Sequence, residues 1–256
     1  MVSRNTPLNL PFNLGIDANA AAYIAAVEAA DGQTLEAGVK TAINSFVIGC
    51  KTDGIWNAIK ASCILSGART LSGALIPLTG TAPTNNNFVS GDYNRKTGLA
   101  SDGVTKNLNS NRNNNADPQN DVHASVYVTV KATGVTGGLM DAGTTPGPTD
   151  LYYLGSGSNV GTRSRSITFD DTSGLGGNWL GLFAQSRSSA SGYIRRVNSV
   201  NTSITRTSAA PDSGNYIVFT TANVRLTFYS IGGSLDLELL DARVTALISA
   251  YAAAIP

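Results

Sequence analysis

The chain has 256 residues, of which 42% are hydrophobic and 14% charged, with a formal net charge of +1. That length and apolar content suffice for a full core and exclude a disordered chain, and near-neutrality removes the whole-chain electrostatic case for binding nucleic acid or an anionic membrane. Two cysteines, Cys50 and Cys63, make no disulfide framework and are expected as buried free thiols.

The first residues lack a signal peptide's basic start and apolar core, and no run of about 18 apolar residues occurs, so a soluble chain without membrane insertion is expected. Residues 8–16, LNLPFNLGI, place Leu8, Leu10, Phe12, Leu14 and Ile16 at every second position, with Pro11 on the opposite set. This is an extended arm, 1–16, that proline confines to a sheet edge or to no sheet at all; it is a candidate assembly arm for a neighbouring subunit, the alternative being that it packs on the helices of its own domain.

Three helices are then predicted. DANAAAYIAAVEAADG (17–32) opens on a capping aspartate and closes on glycine; TLEAGVKTAINSFVIG (34–49) spaces Leu35, Val39, Ile43, Phe46 and Val47 by three and four. DGIWNAIKASCILSG (53–67) reads as a third, and the three make a helical subdomain over 17–79.

From about residue 80 the chain breaks into short segments rich in aromatic and β-branched residues. Strands are predicted in HASVYVTV (123–130), DLYYLG (150–155), SRSITF (164–169), WLGLFAQS (179–186), GYIRRV (192–197), NTSITRT (201–207), NYIVFTT (215–221) and VRLTFYSI (224–231). Eight short strands with turn chemistry between them indicate an antiparallel β-sandwich over 80–256, closed by a helix that carries Leu240, Val244, Leu247, Ile248 and Tyr251 on one face. The fold class is α+β: an antiparallel β-sandwich preceded by a small helical subdomain.

Residues 107–120 hold seven asparagines in fourteen positions and read as a long loop. Asn113, Asn114 and Asn115 are therefore candidates for a recognition or assembly surface, as are Arg163, Arg165 and Arg195, from an arginine-rich span whose acids are Asp170 and Asp171. Arg163 and Arg165 would share a strand face.

Catalytic patterns are missing. His123, the one histidine, is expected on the solvent face of its strand, and no glutamate lies between 37 and 237. Glycosidases on lectin-like sandwiches need paired carboxylates, and the adjacent Asp170 and Asp171 would point to opposite faces. Asp117, Asn120 and Asp121 are read as a turn rather than a calcium loop. No enzyme, cofactor or metal is implied.

The stretches GIWNAIKASCILSGARTLSGALIPL, NFVSGDYNRKTGLASDGVTKNLNSNRNNNADPQNDVHASVYV and LTFYSIGGSLDLELLDARVTALISA resemble a family of bacteriophage virion proteins found among tail and tail-fibre genes, from about Asp17 onward. The central part also resembles the concanavalin-A-like, laminin-G-type sandwich, which implies that the sandwich is a jelly-roll, lectin-like one. The resemblance implies a virion structural protein, made in the host cytoplasm and tail-associated as a fibre or receptor-binding component. A capsid decoration or cement protein is the alternative, and a polysaccharide depolymerase is disfavoured by the missing glutamates. Implied partners are other virion subunits, a homo-oligomer (a trimer by family analogy) and host surface glycan.

Overall fold

The computed structural model describes residues 15–131, 136–144, 146–154, 159–172 and 179–256. Of the arm, Leu8, Leu10, Phe12 and Leu14 lie outside the described residues, and Ile16 is 62% exposed.

The chain opens with helices α1 (Ala18–Asp31) and α2 (Ala37–Thr52). The Asp17 carboxylate caps the first by accepting the Asn19 amide at 2.9 Å, and Gly32, at φ 65°, ends it in the left-handed conformation that glycine adopts without strain. Next come β1 (Ile59–Ile64), the single-turn helix α3 (Leu71–Ala74), β2 (Pro77–Thr79), β3 (Thr84–Asn86), β4 (Tyr93–Asn94), β5 (Gly98–Ala100), β6 (Asn107–Asn113) and β7 (Val122–Val130). The second half contributes β8 (Gly137–Ala142), β9 (Thr149–Leu154), β10 (Asn159–Ser164), β11 (Asp170–Thr172), β12 (Gly181–Arg187) and β13 (Gly192–Val197). The last elements are β14 (Val200–Thr205), β15 (Asn215–Val218), β16 (Arg225–Gly232) and α4 (Leu237–Ala254).

Two antiparallel sheets form the sandwich. One has nine strands, in the order β14-β13-β12-β7-β16-β1-β2 with β5 paired to β16 and β4 to β5; the other has seven, in the order β11-β10-β9-β8-β15-β6-β3. Between the sheets, Val126, Val128, Phe183 and Leu226 meet Leu139, Leu151, Tyr216 and Val218, and Tyr153 stacks on Trp179 at 5.5 Å. The nine-stranded sheet has a second core on its outer face, where α2 and α4 bury Phe46, Leu240, Val244 and Leu247 against Ile59, Leu182, Ala184 and Phe228. Each of these large side chains contributes roughly 1.5–3 kcal/mol by leaving water.

That double covering corrects two expectations. The predicted third helix is a short turn at Trp56–Ala58 followed by β1, a central strand whose Ala61 and Cys63 face the inter-sheet core while Ile59 and Ile64 face the helices. A strand apolar on both faces carries no two-residue period, so its run of apolar residues is indistinguishable from a buried helix. The boundary drawn at 79 accordingly cuts through the nine-stranded sheet, and the helical segment ends at Thr52. His123 is likewise fully buried rather than solvent-facing, because the face of β7 opposite the inter-sheet core lies under the helical layer and the 233–235 segment. Both cysteines are free and buried, and burial pushes each thiol up to about 12.

Candidate functional site

With the helices packed on the nine-stranded sheet, the outer face of the seven-stranded sheet is left to its own side chains among the described residues. Strand register assembles one straight row across that face. Thr84 lies opposite Asn109, Asn109 opposite Ile217, Ile217 opposite Asp141, Asp141 opposite Asp150, and Asp150 opposite Arg163. Alternation sends the intervening residues Leu108, Val218, Met140 and Leu151 into the core. Beside the row, the Tyr152 hydroxyl donates to Asp141 Oδ2 at 2.9 Å, and the Asn215 amide donates to Asn109 Oδ1 at 3.2 Å.

Two glycines shape the aromatic part. A Cβ on Gly161 would sit 1.9 Å from the Phe169 ring, and one on Gly138 would meet Tyr152 Cζ at 3.0 Å, so both rings occupy space over backbone that carries no side chain. After β10, Arg165 takes φ 50° and turns the chain so that Phe169 folds back over Gly161. Phe169 and Tyr152 then meet edge to face at 5.6 Å, and the Arg163 guanidinium lies 5.4 Å above the Phe169 ring. The result is a half-buried platform of two rings beside one arginine, two carboxylates and a pair of amides.

Charge on the platform is poised rather than fixed. Burial pushes the Asp150 carboxyl up to about 7, against the pull of its ion pair with Arg163. Asp141 is raised in the same direction by burial, against its bond from Tyr152. Two carboxyls on opposed residues of neighbouring strands share one cation, and near neutral pH the Asp150 proton is the labile one.

Several sequence-selected residues lie elsewhere. The asparagine run is no loop: 107–113 is strand β6 and 114–116 a short turn of helix. Asn114 is fully buried, donating to the Gly147 carbonyl at 2.8 Å and accepting from Thr149 Oγ1 at 2.8 Å and the Tyr216 hydroxyl at 3.1 Å. It is a structural knot and not a recognition residue. Asn113 reaches the Ser213 carbonyl, and Asn115 is the exposed member of the three. Asn114→Ala should therefore lower stability by about 2–3 kcal/mol through the polar groups it orphans, whereas Asn115→Ala should stay within roughly 0.5 kcal/mol, as urea unfolding will measure.

The expected cationic patch is also mostly interior. Arg165 is fully buried and donates to the carbonyls of Asn114, Asp117 and Pro118; Arg195, 4% exposed, donates to the Asp170 carbonyl at 2.9 Å. Arg187, also fully buried, donates to the Ser164, Ser189 and Arg206 carbonyls. Guanidinium groups satisfy carbonyls that no strand reaches, and five donors on one rigid fork suit that task. SRSITF is the turn these arginines hold rather than a strand. Of the three selected arginines, Arg163 alone belongs to the open face. Asp117 is paired with Arg112 at 2.6 Å, Asn120 accepts from Ser208 at 2.6 Å, and Asp121 accepts the Ser234 amide at 2.5 Å.

Asp141, Asp150, Tyr152 and Phe169 were missed by sequence reading. The signal for two of them was present in DLYYL, where Leu151 and Tyr153 take the core and leave Asp150 and Tyr152 on the opposite face. Paired carboxylates, held to be missing from the sequence, do exist as Asp141 and Asp150, brought together from separate strands.

Two antiparallel sheets with one exposed face and a closing helix define a lectin-like β-sandwich. Among solved structures, the binding domain of botulinum neurotoxin serotype D is similar over 74% of this chain and 52% of its own, at 12% identity and a TM-score of 0.51. The serotype C1 binding domain is similar over 73% and 51%, at 10% identity and 0.49. Domain 4 of an extracellular arabinanase from Geobacillus stearothermophilus, in complex with arabinotriose, is similar over 66% and 82%, at 16% identity and 0.42. This chain thus spans about half the length of the neurotoxin domains, and at 12% identity the property it shares with the serotype D domain is the fold. No protein-family profile matches the chain, and no curated protein matches it in sequence.

Proposed function

We propose that this chain is a non-catalytic recognition component of a virion, in which the open face of the seven-stranded sheet binds host surface carbohydrate. The observation that carries the reading is the row Asp141–Asp150–Arg163 set beside the Tyr152 and Phe169 rings. A sugar offers an apolar CH face and a fan of hydroxyls; aromatic rings take the first, and the Asp141 carboxyl, the amides and the Arg163 guanidinium take the second, with Asp150 beneath holding Arg163 in place. The family resemblance of the sequence supports the virion setting, with the tail as its place, and the serotype D domain with which the fold is shared is itself named for binding.

The same carboxylates argue against hydrolysis. Asp150 is 1% exposed and held by Arg163, so it has no approach to a glycosidic oxygen of a ligand lying on the face. Purified protein should release no reducing ends from bacterial surface polysaccharide; release that vanishes in Asp150→Asn would establish a depolymerase instead.

The test of recognition is binding to an array of bacterial surface polysaccharides, followed by calorimetry on the best ligand. Tyr152→Ala and Arg163→Ala should each weaken binding by roughly tenfold or more with near-native melting. Unchanged affinity in both variants sinks the site. Antibody labelling of whole particles should mark the tail, and label spread over the capsid shell would make this a decoration protein.

A further inference from the structure

We propose that residues 8–14 of one copy add to the nine-stranded sheet of a second copy as a tenth strand, beside β14. An edge strand of the sheet and the sequence of the arm fit each other. β14 pairs with β13 in unbroken register and ends the sheet, with no partner on its other side among the described residues. It is six residues long and contains neither charge nor proline. The other sheet ends are blunted: β2 and β3 have three residues each, with Pro77 at the first of β2, and β11 has three with two aspartates. Long uncharged edges are pairing sites unless something covers them.

Register tells which groups are free. The β13–β14 turn is Asn198–Ser199, both at positive φ, and it closes on Val197 opposite Val200. Hydrogen-bonded pairs alternate from there, and the Arg206 amide donating to the Ser191 carbonyl at 2.9 Å continues the even-numbered set. Asn201, Ser203 and Thr205 therefore point their N–H and C=O groups away from β13.

The arm supplies the matching half. Its two prolines, Pro7 and Pro11, are both odd-numbered. In an extended strand, backbone groups of successive residues point to opposite edges, so the missing donors fall on one edge. The other edge keeps every N–H, from Leu8, Leu10, Phe12 and Leu14, which also put their side chains on one face. Paired to β14 through these residues, the arm turns its proline edge outward and stops further strand addition. Its apolar side chains fall on the face of Ser203 and Ile194, a half-buried apolar residue at the margin of the helical core.

The receiving edge belongs to a neighbour by reach. Asp17 is tied to α2, through its amide to Asn44 Oδ1 at 2.8 Å and its carboxylate to Lys51 Nζ at 2.7 Å. α2 lies over β16 through Phe46 and Phe228, whose ring centroids are 5.9 Å apart, and β14 lies four strands away in the sheet. Four strand spacings are about 19 Å, whereas the three residues from Leu14 to Asp17 extend to about 10 Å.

Proline scanning of the full chain tests the pairing, read by sedimentation equilibrium and by amide exchange of β14. Leu10→Pro removes a donor aimed at β14 and should weaken self-association roughly tenfold or more, while Asn13→Pro, on the outward edge, should leave it within about twofold. The Asn201, Ser203 and Thr205 amides should exchange slowly in the associated protein and fast in a chain lacking residues 1–14. A full chain that stays monomeric, equal effects of the two prolines, or β14 amides unprotected on association would each overturn the proposal. Protection within a monomer would overturn it too, by assigning the edge to its own arm.

Discussion

Arg165→Met should lower the unfolding free energy by about 4 kcal/mol, the largest loss expected from any single arginine in the chain. The guanidinium is fully buried and is the donor to three carbonyls, those of Asn114, Asp117 and Pro118. Methionine keeps much of the volume and gives back the cost of burying a cation, yet it takes the guanidinium donor from the Asn114 and Asp117 carbonyls, while Pro118 keeps the Asp121 amide at 3.0 Å. Arg165→Lys should rescue little, because an ammonium on a flexible stem cannot span three acceptors as a planar fork does. Urea unfolding should show a lower midpoint at unchanged slope, and amide exchange should accelerate first around 114–118. A loss below about 1 kcal/mol would mean the segment finds other donors.

The second large effect is set by pH and centred on His123. Its Nδ1 lies 2.6 Å from the Gly233 carbonyl, which fixes the proton on that nitrogen and leaves Nε2 to accept from Ser230 Oγ at 2.9 Å. Ser230 Oγ is in turn 2.7 Å from Ser125 Oγ, so three polar side chains satisfy one another inside the sheet's helix-facing layer. Burial depresses the imidazole to about 4 in the folded protein from an ordinary 6.5. As pH falls through 6.5 the unfolded chain takes up a proton that the native state refuses until about 4, so stability declines across that window and no further below it. The decline attributable to this residue is about 3 kcal/mol, and His123→Gln should remove it from the difference between profiles recorded at pH 7 and pH 4. Asp150 acts with the opposite sign, since its raised carboxyl favours the folded state as pH falls below about 7. Comparing each variant with the parent at the same pH separates the two. Parallel profiles for His123→Gln and the parent would show that the imidazole titrates normally.

Helices α1, α2 and α4 were legible because each buries one stripe and exposes the other, and α1 carries its cap residues in sequence. β1 was not, since its signal depends on a second layer that other parts of the chain provide. The asparagine run shows composition overruling pattern. Asn107, Asn109, Asn111 and Asn113 alternate with Leu108 and the buried Ser110, a strand's period that the turn preference of asparagine masked. The arginines misled for a related reason: charge density along the sequence says nothing of which carbonyls the fold leaves open. As for the site, Arg163 was found as a charge, while Asp141 and Asp150 become a pair only through strand register, which one sequence does not reveal.

The placement of β16 sets a schedule for synthesis. This strand pairs with β1, β5 and β7, yet it is complete only at Gly232, 168 positions after β1 ends at Ile64. At roughly 5–20 residues per second, a ribosome needs about 8–34 seconds to cover that distance. Throughout that time β1 has an apolar surface on both faces and only the three-residue β2 beside it, so the nascent chain waits with one edge of this strand open. Chains that stall or are cut between 64 and 232 should therefore aggregate instead of folding in part, and slower translation should lower the soluble yield.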